Sequence, residues 1–145
     1  MLETQQEEYL FDCGIQYFNA NQYKSAHKEW EELWKLIGHL PRRSSLKVFL
    51  QLTGIYQNIE LGKWDAVRYG IRVANQRLTE NLDSIKELIE VDAIEAFLLS
   101  YRDKKVTLKA FHELVIQRNG VEFTKTSELS ERLPLPHTKG TKPAP

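Results

Sequence analysis

This chain of 145 residues has a single cysteine, Cys13. No internal disulfide framework can form, and a reducing compartment is the default expectation: the cytoplasm, or an organelle stroma after processing. Charge of one sign is also missing, since 20 Lys plus Arg balance 20 Asp plus Glu. Binding along a phosphate backbone wants a basic surplus, so no nucleic-acid partner is expected, although a local basic patch is compatible with the balance. No apolar run approaches the length of a bilayer span, so no membrane partner is expected either. The opening Met1-Leu-Glu-Thr-Gln-Gln-Glu-Glu is acidic and polar, unlike a secretory signal. There is no Gly-rich phosphate loop and no nucleophile elbow. The rest is an ordinary globular composition, 41% hydrophobic and 28% charged, long enough for one domain with a real core.

Strand-like alternation is almost absent, whereas helical periodicity fills the first 119 residues. Thr4 with Glu7 three residues on is a capping-box pattern that opens a helix to about Phe18, with Leu10, Phe11, Ile15 and Phe18 on one stripe. Asn19-Ala-Asn21 breaks it. A second helix runs from Tyr23 to Ile37, with Gly38 as its cap. After a loop holding Pro41, Arg42 and Arg43, a third helix spans about 45–61 and is apolar nearly all round. Only Lys47, Gln51, Gly54 and Asn58 interrupt it, so it is expected at the centre of a bundle. A fourth helix, from about Trp64 to Asn81, turns Val67, Gly70, Ile71, Ala74 and Leu78 inward, and the small Gly70 and Ala74 permit a close helix contact. A short helical turn around 84–89 follows. Asp92 with Glu95 would cap a fifth helix. Thr107 would cap a sixth with Leu108, Phe111 and Val115 inward, although Val115-Ile116 also fits an extended segment. The expectation is an all-α fold: a single bundle of five or six helices over residues 4–119, then a flexible tail rich in Pro and Lys over 120–145.

The second helix carries the most information. Tyr23, Ala26, Trp30, Leu33, Trp34 and Ile37 recur at steps of three and four, and His27 falls within this apolar stripe. Glu31 stands one turn after His27, so the two side chains are neighbours. They can supply two metal ligands or a carboxylate–imidazole pair for proton transfer. A zincin motif is not met, and no third ligand is predictable among His39, His112 and His137. The alternative is a buried histidine bonded to its helix neighbour and to a polar group across the bundle. Gln51, on the third helix, is the candidate for that group, in a network of His27, Glu31, Trp34 and Gln51; a solvated face for Gln51 stays open.

Other residues have plainer readings. Trp30, Trp34 and Trp64 could stack on a base or sugar, but the first two sit at core spacing and Trp64 reads as a cover over the bundle end. Cys13 has no predictable base or electropositive setting and reads as a passive thiol. Arg42 and Arg43 with Lys47 form a small basic patch that reads as a solvated loop.

The segment Phe11-x-x-Gly14-x-x-x-Phe18-Asn19, then Tyr23-x-x-Ala26-His27 and Glu31-x-x-Trp34, resembles the bacterial, archaeal and plastid "domain of unknown function 309" family. A looser second block, Leu46-Lys47-x-x-Leu50-Gln51 followed by Gly62 and Ala66, is similar to that family too. The resemblance spans about residues 8–80. It implies an all-α fold with a central helix and carries the family's polar positions onto His27, Glu31 and Gln51. It implies no activity. Lys28 stands where the family usually has glutamate, and Gln57 or Asn58 where it often has histidine, so potential ligands are depleted.

Two functional expectations follow. One is a helical scaffold or interaction protein with a protein partner. Asn19-x-Asn21-x-Tyr23-x-x-Ala26 and Gly62-Lys63-Trp64-x-Ala66 resemble helix starts of tetratricopeptide-like repeats, but Tyr23 and Trp64 lie 41 residues apart rather than about 34. The other is a small ligand-binding protein or enzyme with a pocket lined by His27, Glu31, Trp34 and Gln51, in which His27 carries a proton and Glu31 orients it. No catalytic group, metal ligand set or cofactor is assigned.

Overall fold

A computed structural model describes residues 2–121. Among them are seven α-helices: α1 Gln5–Asn19, α2 Tyr23–Ile37, α3 Leu46–Glu60, α4 Trp64–Glu80, α5 Leu82–Leu88, α6 Asp92–Ser100 and α7 Leu108–His112. A 3-10 turn, Pro41–Ser45, joins α2 to α3. Two short strands, β1 Ile89–Glu90 and β2 Gln117–Arg118, pair antiparallel with Ile89 opposite Arg118. The expected all-α bundle is the fold; the turn expected near 84–89 is a full helix, which raises the count. The expected tail, residues 120–145, lies outside the described residues from position 122 onward.

Local signals decide where the helices start and stop. Thr4 Oγ1 accepts the Glu7 amide at 3.1 Å, while the Glu7 carboxylate accepts the Glu3 amide at 2.8 Å, so both members of the capping pattern are engaged. Asn21 at φ 62° turns the chain between α1 and α2. Gly38, at φ 72° and ψ −141°, occupies backbone space open to glycine and ends α2. Two expected caps differ. Val91, not Asp92, is the cap residue of α6, and no side chain caps that end. Thr107 does cap α7, accepting the Ala110 amide at 3.1 Å, but α7 stops at His112. Beyond it the chain runs extended, so Leu114 and Ile116 turn inward while Leu108 and Val115 are exposed.

The helix α3 is central. It packs against α2 on one side and α4 on the other, with α7 and the 3-10 turn also touching it. Leu46, Val48, Phe49, Leu52, Ile55 and Ile59 are buried. On the α4 side Gly70 lets the backbones approach: a methyl there would sit 3.0 Å from Ile55 Cγ1. Helix α1 lies on α2, where Trp30 is fully buried among Phe11, Phe18 and Phe49. Residues 116–118 are tied back to α1. The Asn19 side-chain amide exchanges two 2.8 Å hydrogen bonds with the Ile116 backbone, and Arg118 binds Asp12 at 2.9 Å and Glu8 at 2.8 Å.

Candidate functional site

The α2–α3 seam positions His27. Positions 23, 27 and 31 of α2 face 53, 56 and 60 of α3, because side chains three and four apart share a helix face. Together they line an open groove of about 210 Å³. His27 forms part of its wall, with 38% of the side chain exposed. Its Nδ1 lies 2.6 Å from Thr53 Oγ1 and its Nε2 lies 3.5 Å from Glu31 Oε2.

Thr53 is itself 96% withdrawn from solvent, being 4% exposed, and its hydroxyl donates to the Leu50 carbonyl at 2.9 Å. A hydroxyl has one proton, so while it serves Leu50 it can only accept from imidazole Nδ1–H. A protonated imidazole satisfies Thr53 and Glu31 together. The neutral ring gives up one, and the 2.6 Å contact outranks one that exceeds hydrogen-bond length. Thr53 is therefore the group that orients His27, a role the sequence had assigned to Glu31.

The floor is aromatic. Tyr23 and Tyr56 have ring centroids 4.3 Å apart, Phe111 closes them from below, and His112 lies parallel to Tyr23 at 5.9 Å. The Tyr23 hydroxyl donates to Asn21 Oδ1 at 2.9 Å, and burial drives its pKa upward. The Tyr56 hydroxyl donates to Glu60 at 2.7 Å; that bond and then burial raise its pKa. Lys24 and Lys28 line the groove together with the carboxylates Glu31 and Glu60. Lys28, the departure from the resembled pattern, thus supplies a cation to the rim.

Of the four residues expected to form one network, only His27 and Glu31 come together. Trp34, the next turn of α2, is half-buried and covered by Arg43, whose guanidinium carbon lies 3.9 Å from the indole centre. Gln51 lies on the other side of α3, against α4, where its Nε2 is 3.2 Å from the place a Gly70 methyl would occupy. The groove residues that sequence reasoning missed are Thr53, Tyr56 and Glu60. Among the described residues no three His, Cys, Asp or Glu side chains converge as a metal site.

A second buried polar group lies on the opposite face of α2. Glu29 is only 6% exposed and faces Tyr9 and Tyr17 of α1. Burial pushes its carboxyl up to about 7, against the pull of Lys28. Comparison with models of known families, with curated proteins and with solved structures finds no match to this chain.

Proposed function

We propose that the chain is a helical interaction protein that receives a side chain of a partner in the α2–α3 groove at His27. The observation that carries this reading is the position of His27: oriented by Thr53, yet open to a groove with an aromatic floor and charged lips. A histidine serving packing alone would be sealed and fully bonded inside the core. At about 210 Å³ the groove is smaller than the roughly 300–1,000 Å³ of small-molecule sites, so it suits one inserted side chain better than a whole metabolite. The similarity to the domain of unknown function 309 family supports the same location, since two of its polar positions, His27 and Glu31, are wall residues of the groove. Membership of that family, as a divergent member, is part of the proposal.

The test compares proteins captured from the native cell by the wild-type chain with those captured by His27→Ala and Tyr56→Ala. A protein lost with both variants, while their helical circular dichroism is unchanged, supports the reading. An unchanged set with both variants overturns it. One observation favours a second reading, a small-ligand or proton-transfer site: Nε2 faces the groove while Nδ1 is anchored. There, a thermal-shift screen against metabolites and metals should give a stabilisation that His27→Ala abolishes.

A further inference from the structure

A larger cavity, of about 520 Å³, lies where the α6–α7 connection crosses the start of α4. Its floor is apolar: Val67 and Val106 are buried at 2% and 1% exposure. Two half-buried rings, Trp64 and Tyr101, stand over this floor. The rim is cationic. Arg68, Lys104 and Lys105 line it against a single carboxylate, Asp103, which Arg102 holds at 3.3 Å. This is a local basic excess on a chain with zero formal net charge.

The two lysines rest on the cavity's own aromatic rings. Lys105 Nζ lies 4.3 Å from the centre of the Trp64 ring, and Lys104 Nζ lies 5.2 Å from that of Tyr101. Neither ammonium has a carboxylate partner among the described residues. Cation–π contacts of exposed lysines are weak. Both ammonium groups can therefore leave their rings for an anion, exchanging a weak contact for a charge-assisted hydrogen bond. The same movement uncovers the two ring faces, on which a planar group can stack. The Arg68 guanidinium, only loosely paired with Asp65 at 3.9 Å, adds a donor fork suited to phosphate.

We infer that this cavity binds a phosphorylated planar small molecule of nucleotide size, with its ring system on Trp64 and Tyr101 and its phosphate on Lys104, Lys105 and Arg68. The volume falls within the roughly 300–1,000 Å³ of small-molecule sites. The site is independent of the α2–α3 groove, with which it shares no residue.

The test is a ¹⁵N-resolved NMR titration of the intact chain with adenosine monophosphate. Saturable shifts at the amides of residues 64–68 and 101–106, with the groove amides unmoved, are expected. Adenosine and inorganic phosphate, each offering half of the ligand, should bind at least about tenfold more weakly, as should adenosine monophosphate to the Lys104→Ala/Lys105→Ala double variant. Both lysines are exposed, so the variant keeps the fold, which its unchanged amide spectrum away from the cavity will verify. Trp64→Leu should lose the preference for adenosine monophosphate over phosphate while retaining phosphate binding. An absence of saturable shifts at these amides overturns the proposal. So does phosphate binding as tightly as the nucleotide, which leaves a plain anion site. A single-stranded oligonucleotide binding more tightly than the monomer would overturn the small-molecule reading in favour of nucleic acid.

Discussion

The Trp30 indole lies directly over the bare Cα of Gly14, so that a methyl group on that glycine would overlap the ring nitrogen. The indole also donates to the Phe11 carbonyl at 3.3 Å and is fully buried. Gly14 is inside α1, where replacing glycine by alanine normally stabilises a helix by roughly 1 kcal/mol. Here the sign should reverse. The ring is rigid and enclosed by Phe18 and Phe49, so it cannot move aside without disturbing the α1–α2 contact. Gly14→Ala should lose about 1–3 kcal/mol in urea unfolding. Adding Trp30→Phe should make the Gly14→Ala step less harmful, and additivity of the two would rule out the contact as the cause.

Glu29 predicts a loss of stability as pH rises from about 4.5 to about 7. Its folded-state carboxyl is raised to about 7 by burial beside Tyr9 and Tyr17, with Lys28 opposing and Glu32 adding to the rise. The unfolded chain releases this proton near 4.5, so between those values the folded state holds more protons and stability falls as pH rises. Glu29→Gln should be close to neutral at pH about 5 and stabilising by on the order of 1 kcal/mol at pH about 8. Thermal unfolding of both proteins across this range checks it; a parallel pH dependence would exclude Glu29 as the source.

Glu7 acts in the opposite sense at acid pH. Two short bonds from Arg42, 2.6 and 2.7 Å, hold its carboxyl down at about 2, against the burial that would raise it. The stability this contributes is present in full above about 4.5 and disappears as pH falls toward 2. The pair also fastens the 3-10 turn to the start of α1. Arg42→Ala, which strands a buried carboxylate, should cost roughly 2–4 kcal/mol at neutral pH. Glu7→Gln should flatten the acid limb of a pH–stability curve; a curve as steep as wild type would refute the assignment.

Helix faces were legible in the sequence because periodicity reports them: Tyr23, Ala26, Trp30, Leu33 and Ile37 on α2 and the inward set Val67, Gly70, Ile71, Ala74 and Leu78 on α4 are buried as read, whereas Trp34 and His27, from the same α2 stripe, lie at its half-exposed edge. The candidate site was half legible. His27 and Glu31 are sequence neighbours, but their partner across the seam depends on the rotation of α3. Gln51 and Thr53 are about 200° apart on that helix, so choosing the more polar residue selected the wrong side. Thr53 was hidden within an apolar run. Arg118 with Asp12, Asn19 with Ile116, and Lys105 with Trp64 join residues far apart in sequence. No local period encodes such contacts.

Thr53 carries the last prediction. If its hydroxyl gives its proton to Leu50 and accepts from His27, the neutral imidazole is the Nδ1–H tautomer with its Nε2 lone pair toward the groove. Thr53→Val keeps the shape of the buried side chain and removes the acceptor. The fold should lose only about 0.5–1.5 kcal/mol. The neutral ring should then move its proton to Nε2, where Glu31 is the available acceptor at 3.5 Å. Long-range ¹H–¹⁵N correlation of the imidazole distinguishes the two tautomers. An Nε2–H tautomer already present in the wild-type chain would mean that Thr53 donates to His27, and that Glu31 sets its orientation after all.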